Sequence, residues 1–259
     1  MLEELKENGI QTSLKGGYKF TEMVHEESQK LIKLSISSSQ FELPAKSSNL
    51  YSEYIKKSVQ FEDTADENIM SHVTIDIKPQ MLNELRRLTL GDLYVDSDTD
   101  KEYKLKEMTD DDFISKISPT IVEFNKFGIR LSVPTLEKEM SINNQLIVDL
   151  QPYRNKKIQD SDYGAVADLY QSYEIMKYIS QIEVGSAVYD FDSTPKNKKF
   201  KLISMLPQRV VSAIDDYSQL VKEHADKGLV AVDVETGEEI EVSINSLFTS
   251  VEAKKRKKK

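Results

Sequence analysis

Residues His72 to Gly91 read H-V-T-I-D-I-K-P-Q-M-L-N-E-L-R-R-L-T-L-G, and this stretch combines the two periodicities on which the fold prediction depends. Apolar and polar side chains alternate from His72 to Ile77, which predicts a strand. Pro79 favours the first turn of a helix, and Gly91 favours its end. Between them, four apolar residues share one helical face: Met81, Leu82, Leu85 and Leu88. A strand followed directly by an amphipathic helix indicates a fold that mixes both element types.

The chain after this stretch also mixes helices with short hairpins. Apolar residues at helical spacing, together with capping residues, predict four more helices: Asp110 to Ser118, Thr135 to Leu150, Asp162 to Val184 and Pro207 to Gly228. Alternating stretches around turn residues predict three hairpins: a middle hairpin at 93–105, one from Thr120 to Val133 around N-K-F-G, and a terminal hairpin at 229–244. A further short strand is predicted from Ala187 to Phe191. We therefore predict an α+β fold of several helices with short antiparallel β-hairpins.

The first 70 residues show weaker patterns, and we interpret them as a helical or extended N-terminal arm. Leu2 to Asn8 and Phe20 to Leu34 have helical character, whereas Phe41 to Tyr51 and Phe61 to Asn68 resemble loops. The predicted domain organisation has three parts: the arm at 1–70, an α+β core domain at 71–250, and a disordered basic tail at 251–259.

The sequence lacks the residues on which most catalytic sites depend. There is no cysteine, so disulfides, thiol nucleophiles and thiolate zinc sites are excluded. The three histidines, His25, His72 and His224, are scattered and match no zinc-hydrolase spacing. Phosphate-binding loops, dinucleotide fingerprints and nucleophile elbows are also absent. We predict no catalytic, cofactor-binding or metal-binding residues, no cofactor and no small-molecule substrate, and hence a protein that is not an enzyme.

Charge is unevenly distributed along the chain. The net charge is −9 at pH 7, but Lys254 to Lys259 carry six positive charges, so residues 1–253 have 29 Lys and Arg against 44 Asp and Glu, or −15. An acidic body repels phosphate backbones, and nucleic acid is expected to bind at most through the basic tail. Three interpretations of the tail stay open: a solvated end, which we favour, an electrostatic tether, and a nuclear-import signal. No apolar run is long enough for membrane insertion.

The stretch Asp96 to Glu107 reads D-S-D-T-D-K-E-Y-K-L-K-E and places carboxylates at positions 1, 3, 5 and 12 of a calcium-loop pattern. An EF-hand loop needs helices on both sides and glycine at position 6. Here the flanks alternate like strands, and position 6 is Lys101. A non-glycine residue in that conformation costs on the order of 1 kcal/mol or more. We favour an acidic hairpin tip, and a calcium-binding regulatory module that uses residues 96–107 stays an alternative.

Four segments carry a resemblance to a known family. They are G-I-R-L-S-V-P-T-L-E-K-E at Gly128 to Glu139, the strand Val188 to Phe191 after an acidic helical middle, L-P-Q-R-V-V-S-A-I-D-D-Y at Leu206 to Tyr217, and the terminal hairpin V-D-V-E-T-G-E-E-I-E-V-S-I ending in N-S-L-F. Earlier, F-E-L-P-A-K-S-S-N-L-Y at Phe41 to Tyr51 resembles the L-P-S-K-G-x-x-Y opening of that family. The layout of residues 70–250 is similar to that of the baseplate hub and hub-assembly proteins of T-even-type contractile-tailed phages. Some relatives carry C-x-x-C in the middle hairpin tip, where this chain has D-S-D-T-D-K-E, so a zinc knuckle of that kind is lost.

The resemblance implies a structural or assembly protein that works through contacts with other phage baseplate and tail proteins. It would be a hub subunit or a hub-assembly factor, located in the virion tail baseplate or in the host cytoplasm during assembly. An acidic tail-assembly chaperone that leaves before the particle matures is the alternative within the same setting. The candidate contact elements are the N-terminal arm, which would order on binding, and the exposed edge of the terminal hairpin.

Overall fold

The computed structural model describes residues 10–23, 30, 34, 38–64, 67–95, 101–154, 160–244 and 247–248. The predicted α+β class is confirmed, because these residues contain seven helices and three small antiparallel sheets. Among the described helices, none is both long and apolar enough to cross a membrane.

The seven helices lie within the described ranges and are α1 (Leu43–Ser58), α2 (Ile69–His72), α3 (Lys78–Leu90), α4 (Leu136–Leu150), α5 (Asp160–Tyr178), α6 (Lys196–Ser204) and α7 (Gln208–Asp226). Local sequence explains several of their ends. Thr135 caps α4, since its hydroxyl oxygen accepts a hydrogen bond from the N–H of Lys138 at 3.3 Å. Gly91 ends α3 with a φ of 83°, a left-handed conformation that favours glycine.

The described strands are β1 (Thr12–Lys15), β2 (Tyr18–Thr21), β3 (Val59–Phe61), β4 (Leu93–Val95), β5 (Glu102–Leu105), β6 (Thr120–Phe124), β7 (Phe127–Leu131), β8 (Ile179–Val184), β9 (Ala187–Asp190), β10 (Val230–Asp233) and β11 (Glu239–Glu241). They form antiparallel sheets in the orders β1-β2-β3, β11-β10-β5-β4 and β6-β7-β8-β9. The predicted middle and terminal hairpins are both confirmed. They also join into one sheet, because Ala231 pairs with Leu105.

Helix α3 lies at the centre of the molecule and is buried from Lys78 to Arg86. Of its predicted apolar face, Met81, Leu82 and Leu85 are buried and Leu88 is partly buried, and the polar side chains between Lys78 and Arg86 are buried too. Arg86 donates hydrogen bonds to the carbonyl oxygens of Leu247 at 2.6 Å, Leu93 at 2.9 Å and Gly91. These bonds satisfy the buried guanidinium and tie α3 to both the middle hairpin and the C-terminal segment.

The apolar side chains form two clusters that α1 and α4 join. One cluster surrounds α3 and contains side chains of the first two sheets, and the other lies between the third sheet and helices α4, α5 and α7. Helix α1 contributes Tyr51, Tyr54 and Ile55 to the first cluster and Ala45 to the second. Helix α4 likewise contributes Leu136 to the first cluster and Leu146 to the second, so two helices couple the clusters.

The strand predicted at His72–Ile77 is wrong. His72 ends α2, and the next residues form a turn with an isolated antiparallel bridge between Thr74 and Thr135. The N–H of Ile75 donates to the carbonyl of Pro134 at 2.9 Å, and the N–H of Leu136 donates to the carbonyl of Val73 at 2.9 Å. Val73 and Ile77 are apolar because they are buried, which produced the strand-like pattern. The backbone here forms these tertiary hydrogen bonds and not the regular hydrogen bonds of a β-ladder.

Where residues 1–70 are described, they pack into the core, whereas the sequence predicts a helical or extended arm. Most of Phe41–Tyr51, predicted to be a loop, belongs to α1, with Pro44 in its first turn. Phe20 of β2 and Tyr51 of α1 are 0% and 1% exposed, so this part of the chain belongs to the core. Leu2–Asn8 and most of Phe20–Leu34 lie outside the described residues.

Two helix predictions end too late. The helix predicted at Asp110–Ser118 is a single 3-10 turn, Asp110–Phe113, although its capping box is present: the Asp112 carboxylate accepts from the N–H and hydroxyl of Thr109 at 2.7 and 2.8 Å. The helix predicted to reach Val184 ends at Tyr178, and the remaining residues form β8. Ile179 and Ile182 continue the helical spacing, so periodicity did not reveal the change, and pairing with β7 decides it.

Candidate interaction site

The sheet β6–β9 has one apolar face and one more polar face, because successive strand residues point to opposite sides. On the apolar face, Ile129 pairs with Ile182, and Ile182 pairs with Tyr189 on its other side. Ile129 and Ile182 are 1% and 9% exposed, whereas Phe127 and Tyr189 are 43% and 56% exposed. The helices thus cover part of this face, and it is open at the end that carries Phe127 and along the edge strand β9, which carries Tyr189.

The open end of the face and helix α6 enclose a groove of about 810 Å³, which we call the sheet groove. Its walls are mostly apolar and include Phe124, Phe127, Val184, Tyr189, Leu202 and Met205. The exposed side chains of Lys198 and Lys201 also line it, together with the carboxylate of Asp190. An apolar surface with charged groups at its edge is typical of a protein-interaction site.

The turn N-K-F-G holds two aromatic rings together at the open end of the sheet groove. Asn125 has a φ of 54°, a left-handed conformation that asparagine tolerates better than most residues. Across this turn, Phe124 pairs with Phe127, and their stacked ring centroids lie 5.5 Å apart. The pair presents a wide apolar surface of low conformational entropy.

Helix α6 forms the opposite wall and is positioned by the turn before it and by an aromatic contact on its core side. The Asp190 carboxylate accepts from the N–H groups of Asp192 and Ser193 at 3.1 and 3.3 Å, and the bond from Asp192 contributes most to lowering its pKa. On the core side of α6, the ring of Phe200 meets that of Tyr173 edge to face at 5.4 Å. This orientation leaves Met205, which is 72% exposed, on the groove side.

A separate cavity of about 380 Å³ lies among α1, α3, α4, α5 and α7. We call its charged side chains the ionic cluster: Lys78, Glu139, Glu174, Lys177 and Lys222. The ammonium of Lys78 donates to Glu139 at 2.7 Å and to the backbone and hydroxyl oxygens of Ser48 at 2.8 Å. The ammonium of Lys177 donates to Glu174 at 2.9 Å.

At the two carboxylates of the ionic cluster, opposite charges outweigh burial, whereas burial lowers the pKa of the Lys78 ammonium despite the charge of Glu139. Burial alone raises the pKa of Glu139, but the charges of Lys78 and Lys177 and hydrogen bonds from Lys78 and Ser48 bring it below the usual value. For Glu174, burial again opposes ionisation, and the charges of Lys177 and Lys222 with hydrogen bonds lower the pKa. Both carboxylates are ionised and paired near neutral pH. A general acid or base needs a pKa near the working pH, so this geometry is that of a stabilising network.

The acidic hairpin tip lies mostly outside the described residues, since residues 96–100 are among those not described. Glu107, at position 12 of the calcium-loop pattern, is described, and it accepts a hydrogen bond from Lys15 at 3.2 Å. Within the described ranges, no group of three His, Asp or Glu side chains is placed to hold a metal ion. The basic tail at 251–259 is likewise outside the described residues.

The sequence missed the sheet groove. Of the predicted contact elements, the terminal hairpin does end in an edge strand, β11, within its described sheet. Helix α6, one wall of the groove, is not among the helices predicted from the sequence. A usable signal was present in P-K-N-K-K-F-K-L-I-S, where a helix-starting proline precedes apolar residues three apart, Phe200 and Ile203.

No family model, curated protein or solved structure matches this chain.

Proposed function

We propose that this chain is a structural or assembly protein of a contractile phage tail baseplate, either a hub subunit or a hub-assembly factor. It acts through protein–protein contacts and not as an enzyme. The observation that carries the proposal is the sheet groove, where Phe127, Tyr189 and Met205 are 43%, 56% and 72% exposed around one concave surface. Large apolar side chains gathered in one open groove favour a contact with another protein, because exposing apolar surface to water is unfavourable.

The sequence resemblance gives this contact its proposed setting. The quoted segment Gly128–Glu139 spans most of β7, Pro134 and the start of α4, and Leu206–Tyr217 spans the start of α7. The quoted terminal hairpin corresponds to β10 and β11. These segments have the element types that the resemblance implies, which supports the proposal without identifying a partner chain.

An affinity pulldown tests the proposal directly. The tagged full-length chain is expressed in its native source during particle assembly, and the captured proteins are identified by mass spectrometry. We expect baseplate or tail proteins to be enriched over a capture with an unrelated acidic protein carrying the same tag. A capture without any tail protein would contradict the proposal.

Purified particles, probed for the same chain, separate a hub subunit from a hub-assembly factor and from the alternative, a tail-assembly chaperone. A hub subunit is present in finished particles at a fixed copy number. A hub-assembly factor or a tail-assembly chaperone is absent from them but binds tail proteins beforehand. The identity of the captured protein, a hub component or another tail protein, then separates those two.

A further inference from the structure

We propose that the sheet groove binds an amphipathic helix of a partner protein, with the apolar stripe of that helix on the sheet and acidic residues beside Lys198 and Lys201. The identification of the partner as a tail protein rests on the proposed function. The shape and charge of the groove do not depend on it.

A helix fits the groove because helices already cover the other end of the same face. Ile129 and Ile182 are buried in the cluster that holds side chains of α4, α5 and α7, and Leu202 of α6 lines the groove beside them. A sheet with one apolar face is stable when a layer of helices covers that face. A helix placed beside α6 would extend the layer over Phe127 and Tyr189, which are the exposed part of the face.

The charge of the groove selects an acidic helix. Helix α6 contains four lysines and no acidic residue, in a chain whose residues 1–253 carry −15. Lys196 is paired with Asp149 at 2.6 Å, and Lys199 donates to the carbonyl of Asp192. Lys198 and Lys201 form no side-chain ion pair or hydrogen bond with any described residue, and both line the groove.

The acidic groups near the groove do not cancel its preference for an acidic helix. Asp190 is the only carboxylate that lines the groove among the described residues, and its oxygens accept backbone hydrogen bonds from Asp192 and Ser193. Because these two ammonium groups have no partner in the part of the chain that is described, they favour a helix whose apolar stripe is flanked by Asp or Glu.

Site-specific photo-crosslinking identifies what occupies the groove. A photoreactive residue replaces Met205 in the full-length chain, and a matched control replaces Val148, an apolar residue of α4 that is 57% exposed and does not line the groove. Both chains are irradiated in assembling cells, and the crosslinked peptides are sequenced. We expect position 205, and not position 148, to capture a segment with apolar residues three and four apart and flanking Asp or Glu.

Binding measurements with the captured segment, made as a synthetic peptide, test the geometry. Met205→Glu should weaken binding by about tenfold or more, because it places a charge in the apolar contact, while Val148→Glu should change it less than about twofold.

Lys198→Glu with Lys201→Glu should weaken binding strongly at low salt and less at high salt, since salt screens exposed charges. The matched control, Lys56→Glu with Lys116→Glu, carries the same charge change at exposed sites outside the groove. Circular dichroism checks that every variant is folded.

The outcomes separate this inference from the proposed function. Tail proteins in the pulldown, with no position-specific crosslink at 205, would overturn the groove proposal and leave the function standing. An acidic amphipathic helix captured from a protein unrelated to tails would support the groove and contradict the function. A basic or extended segment at 205, or a second copy of this chain, overturns the groove proposal.

Discussion

At the scale of single residues, the ionic cluster is the feature with the largest expected effect on stability. Lys78 and Glu139 are 4% and 8% exposed, and they lie on two different helices, α3 and α4. Two charges removed from water remain stable only while they are paired and hydrogen-bonded. Ser48 completes the arrangement, because its hydroxyl donates to Glu139 at 2.9 Å.

Breaking this pair should destabilise the protein strongly. We expect Glu139→Leu to lower the free energy of unfolding by about 3–5 kcal/mol, because the ammonium of Lys78 is left buried without its partner. The double variant Lys78→Met with Glu139→Leu should recover most of that loss, since neither charge remains. Urea denaturation followed by circular dichroism measures the free energy of unfolding of the wild-type protein and of both variants.

The matched control is Glu137→Leu, which removes an exposed carboxylate from the same helix. It should change the free energy of unfolding by less than about 0.5 kcal/mol. If the double variant is as unstable as Glu139→Leu, loss of other contacts of these side chains, and not the unpaired charge, causes the destabilisation.

The same carboxylates predict how stability depends on pH. The folded-state pKa values of Glu139 and Glu174 are lowered, so each contributes stability that is fully present above the unfolded pKa of about 4.3 and is lost as pH falls through the folded pKa. We expect the free energy of unfolding to decrease as the pH falls below about 5, and the Lys78→Met, Glu139→Leu double variant to show a shallower decrease. Denaturation curves at several pH values test this, and identical slopes for both proteins would contradict it.

At the scale of elements, close approach between segments decides which glycines are replaceable. Gly228 follows α7 where the chain passes the start of α3, and a Cβ atom there would lie 2.6 Å from the backbone nitrogen of Gln80. Gly164 is an exposed residue within α5, and a Cβ atom there would have no neighbour within 4 Å.

Alanine at these two positions should have opposite effects. Gly228→Ala should destabilise by about 1–3 kcal/mol, because backbone atoms of α3 must move. Gly164→Ala should stabilise by about 0.5–1 kcal/mol, because alanine loses less conformational entropy in a helix. Thermal and urea denaturation measure both changes, and a destabilised Gly164→Ala protein would show that α5 is not a regular helix there.

The middle hairpin gives a prediction about metal binding. The strands β4 and β5 flank residues 96–100, whereas an EF-hand loop needs helices, and Glu107 is paired with Lys15. We expect calorimetric titration with Ca²⁺ to show no binding tighter than millimolar. Sub-millimolar binding that disappears in Asp96→Asn with Asp98→Asn would restore the calcium-module hypothesis.

At the scale of the whole molecule, α1 and α4 connect the two apolar clusters. Side chains of both helices belong to both clusters, and α3 is buried from Lys78 to Arg86 among elements from the beginning, middle and end of the chain. Neither cluster retains its full set of contacts if the other one unfolds.

We therefore expect one cooperative unfolding transition. Under native conditions, hydrogen exchange of the slowest amides of α3, β2 and β7 should report the same free energy of opening, because all three require global unfolding. Exchange in β7 that is consistently faster, with its own denaturant dependence, would mean that the third sheet and its helices unfold separately.

Sequence patterns predicted the elements whose residues depend mainly on their neighbours in the chain. The caps and breakers Thr135, Pro207 and Gly91 marked helix ends correctly, and turn residues marked the middle and terminal hairpins. The N-K-F-G turn was also predicted, although the groove that it borders was not. Local rules describe conformation, and they carry no information about which part of an apolar face stays uncovered.

Composition and local periodicity are sufficient to predict the α+β class, the absence of cysteine chemistry and the acidic charge of the body. Three further features depend on tertiary contacts. These contacts turned Val73–Ile77 into a bridged turn, ended α5 before Ile179 so that β8 could pair with β7, and buried the charges of Lys78 and Glu139 side by side. Each depends on a partner distant in the chain, since hydrogen bonds and ion pairs form between whatever groups folding brings together. The sheet groove has the same origin, because it exists only where the helices end and the sheet continues.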